Sequence, residues 1–447
     1  MKPRHSQTAL RSDVRPRELW AWAMYDFANS GYTTVVITAL FNAYFVAVVA
    51  GNAPWATFAW TAALSFSYLL VVLSAPIVGA YADLHAAKKK LLVITTTGCV
   101  LFTALLYFTQ PETLWLAIVC VIASNFFFSS GENLIAAFLP EIAKVRAMGR
   151  VSGWGWSLGY IGGLLTLGLC LLYVTWAEEH GQAATQFVPV TMLITAGIFA
   201  LASLPTLLLL QERAVPFATP FATWDARLRE AWLDVWQTLR NLRQFADLRR
   251  FLLCSLFYQA GIMAVITLTA IYASQALKFT TQEILQLVLV VNITAAVGAF
   301  LFGHLQDRIG HVRAIALTLA GWIATILLAW GAHEPPLFWA AANISGLCLG
   351  ASQSAGRALV GVLAPPSRLA EFYGFWGLAV KLASIAGPLT YGITTWLTSG
   401  DHRRALLLTG SYFVIGLILL FGVQVARGRR AALRAERLAR KAAINRR

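Results

Sequence analysis

The chain is short of charge. Only 12% of its 447 residues are Asp, Glu, Lys or Arg while 58% are hydrophobic, against about a quarter charged in a soluble domain. With a mean hydropathy of +0.65, that deficit excludes a soluble globular protein of this size and leaves a polytopic helical membrane protein. Acids are the scarcer sign, 20 against 35 bases. The bases lie in loops between apolar runs, which excludes the nucleic-acid partner that a net charge of +15 would otherwise invite. The five cysteines (99, 120, 170, 254, 348) are scattered singly through apolar segments, so neither a disulfide framework nor a metal site is implied. All seven histidines fall at or near loops, no His-Glu-x-x-His occurs, and no glycine-rich loop ends in Lys-Ser or Lys-Thr. The chain therefore reads as a non-enzyme without cofactor, metal or its own ATP hydrolysis.

What is present is length of apolar run. A span needs about 20 apolar residues, and twelve segments qualify: 20–50, 55–82, 91–110, 113–139, 151–176, 188–210, 251–276, 284–306, 312–331, 336–363, 372–397 and 405–426. Of the 35 Lys and Arg, 30 fall on the side of the N-terminus. Both termini are thus expected in the cytoplasm, in an inner membrane. The organisation expected is a leader (1–19), a six-helix bundle (20–210), an amphipathic linker helix on the membrane surface (211–250), a second six-helix bundle (251–426) and a basic, lipid-facing tail (427–447).

The two bundles repeat. Gly131, Pro140, Gly149 and Gly162 recur at an offset of 225 as Gly356, Pro365, Gly374 and Gly387, and Gly79 with Asp83 recurs at 224 as Gly303 with Asp307. Duplicated six-span halves are a transporter architecture with the binding site between them. Two cations lie deep within spans. Arg357 stands about 12 Å before Pro365 and Lys381 roughly 14 Å beyond the turn that follows. A charge at such depth faces a bundle interior or wet cavity and has a partner. Glu132 occupies the repeat position of Arg357, so the two are expected to face each other across the pathway. Asp26, about 9 Å into span one, is a candidate for proton or substrate handling or for a structural carboxylate that caps a helix or pairs with Lys381 or Arg357, with Asn29 one turn further on the same face. Lys381 is a candidate for a substrate carboxylate or for holding Asp26. Tyr25, Trp156, Tyr160, Tyr258, Gln259, Gln353 and Trp376 are candidate cavity linings. The ridges Gly155-xxx-Gly159-xxx-Gly163 and Ala379-xxx-Ala383-xxx-Gly387 read as packing.

These residues resemble a known group. Gly303-x-x-x-Asp307-Arg308-x-Gly310-x-x-Arg313 is similar to the cytoplasmic loop signature of the major facilitator superfamily, and Gly79-x-x-x-Asp83 with Lys88, Lys89 and Lys90 is a degraded first copy. That copy lacks the basic residue after Asp83 and the glycine of the turn, where Ala86 or Ala87 stands. Tyr25 to Ser30, Ser152-Gly153-x-Gly155, Gln353-x-x-x-Arg357, Glu371-Phe372-x-Gly374 and Lys381 further resemble the branch of autophagy-related vacuolar amino-acid effluxers and their bacterial homologues. The resemblance implies two pseudo-symmetric six-helix bundles working as a monomer. It also implies alternating access gated by the two loops, and a small polar solute such as an amino acid, moved with protons or another coupling ion.

Overall fold

The computed structural model describes residues 9–214, 232–233, 235–236, 242–276, 279, 281–332, 334–398 and 401–444. It is all helical apart from one isolated β-bridge, Leu10 to Ala143, among the described residues. The helices are α1 (Pro16–Val49), α2 (Ala56–Leu84), α3 (Lys88–Phe108), α4 (Leu114–Ile142), α5 (Met148–Glu179) and α6 (Ala184–Leu209). They continue as α7 (Ala246–Ala276), α8 (Thr281–Ile309), α9 (His311–Gly331), α10 (Pro335–Leu363), α11 (Leu369–Leu397), α12 (His402–Phe421) and α13 (Val425–Ile444). The amphipathic linker helix expected within 211–250 lies largely outside the described residues.

Eleven of these helices are long and apolar enough to cross a membrane. The remaining expected span, α10, is one continuous helix of 29 residues, about 43 Å long at 1.5 Å per residue. Ser345, Ser352, Gln353, Ser354 and Arg357 dilute its apolarity, yet every residue from Gly350 to Leu363 is buried. Surrounded by protein instead of lipid, that stretch has no need of a continuous apolar surface.

Packing pairs recur six helices apart. α1 packs on α5 and α6 as α7 packs on α11 and α12, and α2 meets α4 as α8 meets α10. Two further contacts, α2 with α11 and α5 with α8, join the first six helices to the second six. At single glycines in both, backbone meets backbone without an intervening side chain. A Cβ on Gly374 would come within 2.5 Å of the Ala75 carbonyl oxygen, and one on Gly153 within 2.5 Å of that of Ala299. At one end of the bundle, Arg11 N–H donates to Ile142 O (3.0 Å) and Lys144 N–H to Ala9 O (2.9 Å), while α13 lies against α10. We call this end, which carries residues 9–15 and α13, the terminal face.

The turns behind Asp83 and Asp307 need left-handed backbone. Gly310 has φ +93°, and in the degraded copy Ala86 takes φ +48°, which costs a non-glycine residue about 1–2 kcal/mol. Replacing Gly310 by Ala is therefore expected to lower stability by about 1–2 kcal/mol, whereas Ala86→Gly leaves it unchanged or raised. Gly374→Val, driven into a backbone, is expected to cost about 1–3 kcal/mol or more. Thermal unfolding of the purified protein in detergent measures all three, and an Ala86→Gly loss equal to that of Gly310→Ala would contradict the turn assignment.

Candidate functional site

The terminal face is closed by carboxylates set on helix starts. An α-helix begins with unpaired N–H groups and a positive dipole end, which an acid satisfies. Asp83, at the end of α2, accepts from Glu371 N–H (2.9 Å) in the first turn of α11. Asp307, at the end of α8, accepts from Gly149 N–H (2.9 Å) and Arg150 N–H (3.1 Å) in the first turn of α5. Each acid thus ties one set of six helices to the other. Lys88 is buried between Asp83 (3.3 Å) and Glu141 (2.5 Å). Glu141 in turn accepts from Arg213 N–H (3.0 Å), and the Arg213 guanidinium reaches Asp13 (2.8 Å) and Glu18 (3.0 Å). Glu212 caps α3 through the N–H groups of Lys88 and Lys89 (2.9 and 3.0 Å). Burial pushes the Glu212 carboxyl upward, against the pull of those N–H bonds and of Lys88. The cation beside Asp307 is Arg150 (3.7 Å), while Arg308 and Arg313 stand exposed. Lys89 donates to Leu210 O (2.7 Å), and Lys90 is exposed.

Deeper lie two ion pairs, one buried and one half-buried, each crossing between the two sets of six. Asp26 on α1 meets Arg357 on α10 at 2.8 Å. Arg357 also donates to Ser152 Oγ (3.0 Å) and Ser152 O (2.9 Å) at the start of α5. Its guanidinium lies over the rings of Trp22 (4.7 Å) and Trp156 (5.4 Å). Gly155 makes the arrangement possible, since a Cβ there would sit 2.8 Å from Arg357 Nη2 and against Asp26. Lys381 on α11 meets Glu132 on α4 at 3.3 Å, with Tyr68 and Phe128 rings at 5.3 and 5.7 Å from the ammonium.

The expected pairing of Glu132 with Arg357 is overturned. Repeat-equivalent residues on α4 and α10 do not meet because each helix packs on a different neighbour across the interface, α4 on α11 and α10 on α5. The pseudo-symmetry survives in another form. Position 156 is the repeat equivalent of 381, so the contact of Arg357 with Trp156 mirrors that of Glu132 with Lys381.

Gln259 and Gln353 hold each other through reciprocal amide bonds (2.9 and 3.2 Å) between α7 and α10. Tyr25 is bonded to Thr96 Oγ1 (3.0 Å), Tyr160 stacks at a tilt on Trp156 (5.9 Å), and buried Tyr258 lies 3.4 Å from Ser255 Oγ. Buried donors with no hydrogen bond to protein include, on α1, α4, α5 and α11, the amide of Asn29, the hydroxyls of Ser129 and Ser130, Asn133 Nδ2, and the indole N–H groups of Trp156 and Trp376. Sequence reasoning missed Glu141, Glu212, Ser152 and Trp22. Only Ser152 carried a signal, within Ser152-Gly153-x-Gly155. The stretch Gly155-Trp156-Ser157-Leu158-Gly159 fits the Gly-x-Ser-x-Gly pattern, but Ser157 lies within α5 and donates to Ala296 O (2.8 Å). It is not on the strand-to-helix turn that a nucleophile needs.

Arg357 is 3% exposed, so Asp26→Asn strands a buried charge and is expected to cost about 3–5 kcal/mol of stability. The Glu132 side chain is 32% exposed, and Glu132→Gln is expected to cost less. Thermal unfolding in detergent decides this; equal losses would show that burial does not set the cost.

A family model described as vacuole effluxer Atg22 like matches residues 45–433. An uncharacterized MFS-type transporter of Bacillus subtilis, YxiO, is 28% identical over 407 residues, covering 90% of this chain and 93% of the relative. Autophagy-related protein 22-1 of Aspergillus fumigatus is 25% identical over 334 residues, covering 68% of this chain and 53% of that protein. The chain thus spans about half the length of this fungal relative. Among solved structures, the human organic anion transporter MFSD10 superposes with a TM-score of 0.68 at 16% identity, covering 91% of this chain and all of that one (100%). The Escherichia coli fucose:proton symporter FucP gives 0.70 at 14% identity, covering 93% and 100%. At such identities the superpositions speak for the fold. The matched model extends over most of the sequence, and the chain belongs to the vacuole effluxer Atg22-like family, within the major facilitator superfamily of multi-pass membrane transporters.

Proposed function

We propose that this transporter moves a small zwitterion, an amino acid fitting best, by alternating access between two halves of six spans each, twelve in all. The terminal face is the cytoplasmic side, in line with the excess of Lys and Arg there. The observation that carries the reading is the pair of ion pairs bridging the halves, Asp26 with Arg357 and Glu132 with Lys381. An amino acid presents one ammonium and one carboxylate, and each pair offers a partner of both signs. Lys381 stands about 18 Å along α11 from the terminal face, at 1.5 Å per residue. Its partner Glu132 is the most exposed of the four groups, while Arg357, closer to that face, is sealed. This gradient fits a cavity closed at the terminal face and reached from the other.

In this reading the solute's carboxylate takes Lys381 from Glu132, and its ammonium takes the released Glu132. Protonation of Asp26 removes the counter-charge of Arg357, which frees the guanidinium to leave α1 and lets α10 part from it. The caps at Asp83 and Asp307 then release the first turns of α11 and α5, and the terminal face opens.

Uptake of a labelled amino-acid mixture into proteoliposomes, with and without an imposed proton gradient, tests this. Wild type is expected to accumulate label with the gradient. Asp26→Asn is expected to lose the gradient dependence, and Lys381→Ala to lose most uptake in either condition. No uptake by folded wild type would remove amino acids as the substrate, while gradient dependence persisting in Asp26→Asn would remove Asp26 from proton coupling.

A further inference from the structure

Three residues separate the start of helix α13 from the end of α12 at Phe421, whose side chain is 72% exposed on the outer wall of the bundle. The helix therefore leaves the membrane-spanning wall at the level of the lipid headgroups. Its buried stripe, Gly428, Ala432 and Glu436, recurs every four residues and faces the bundle. Gly428 lies against Leu363 and Asp247, Arg427 closes on Asp247 at 2.6 Å, and the Glu436 carboxylate accepts from Ser367 N–H at 2.9 Å. The outer arc differs in character. Arg429, Arg430, Arg434 and Arg437 are exposed there, with Leu433 (41% exposed) and Leu438 (61%) among them. Glu436 is the helix's one acid, and it is turned inward. Exposed leucines interleaved with arginines, and no acid on that arc, make a surface that lies in a negatively charged headgroup layer.

The inward contact gives the surface a target. Ser367 stands in the turn Pro366–Arg368 that leads into α11, the helix whose first turn Asp83 holds. The repeat-equivalent position, Ile142, is braced by the N-terminal segment through Arg11 N–H. Both gate-bearing helices, α5 and α11, are thus preceded by a turn that a chain end holds in place.

We infer that the outer arc of α13 binds anionic headgroups of the bilayer that the chain spans, and that this contact, passed through Glu436, braces the entrance of α11 and stabilises the closed terminal face. The inference is independent of which solute is carried and of its coupling.

The test uses the purified full chain in detergent, titrated with phosphatidylglycerol or with phosphatidylcholine of the same acyl chains. It reads the unfolding temperature and, by native mass spectrometry, the number of lipids retained. For wild type, phosphatidylglycerol raises the unfolding temperature more than phosphatidylcholine does. R429Q/R430Q/R434Q/R437Q, in which glutamine keeps helix propensity, loses that excess and the retained anionic lipid. E436Q retains the lipid but loses the excess in unfolding temperature. The all-lysine version of the fourfold variant keeps both and serves as the folding control. Equal shifts from the two lipids on wild type, or a full excess in the glutamine variant, would overturn the inference. An undiminished excess in E436Q would overturn the brace.

Discussion

The centre of this protein is arranged around one buried guanidinium. At membrane depth the charge of Arg357 must be answered on every side. Asp26 supplies the countercharge, Ser152 two acceptors, and Trp22 and Trp156 their ring faces. These groups come from α1 and α5, whereas Arg357 belongs to α10. The charge therefore does what apolar packing alone does weakly in a bilayer, where lipid is as apolar as the helix surface. It makes separation of the two sets of helices conditional on a change in electrostatics.

The terminal face applies the same logic to backbone. Four carboxylates, Asp83, Asp307, Glu212 and Glu436, each accept from N–H groups at a helix start or turn. Such contacts are directional, and they are lost completely once the helix end withdraws by a few ångströms. Lys88, between Asp83 and Glu141, fixes one of these acids and links it to the N-terminal segment through Arg213 and Glu18. Close backbone contacts at Gly153 and Gly374 bring α5 and α11 near enough for the caps to reach.

Much of the fold was legible because apolar run length and loop charge are local properties of a sequence. The repeat also showed, through glycines and prolines that recur at one offset. α10 was legible as a span by the same ruler of run length, but the packing that tolerates Gln353 and Arg357 within it is remote in sequence and was not. The pairing of charges was legible only as alternatives, Asp26 with Lys381 or Arg357 and Arg357 with Glu132. Knowing that Glu132 and Arg357 are equivalent says nothing about which neighbour each helix meets, and the structure gives Glu132 to Lys381 and Arg357 to Asp26. Glu141 and Glu212 were missed for the same reason: acids in a loop look solvated until the fold sets a buried lysine or a helix start against them.

The order in which the two braced turns can be completed differs. The first is held by residues near position 10, already synthesised when Ile142 and Ala143 emerge. The second is held by Glu436, some 70 positions after Ser367. During synthesis the first half can therefore settle into its final end-face geometry long before the second. α11 and α12 are both synthesised before the Glu436 contact to the turn at Pro366–Arg368 can form.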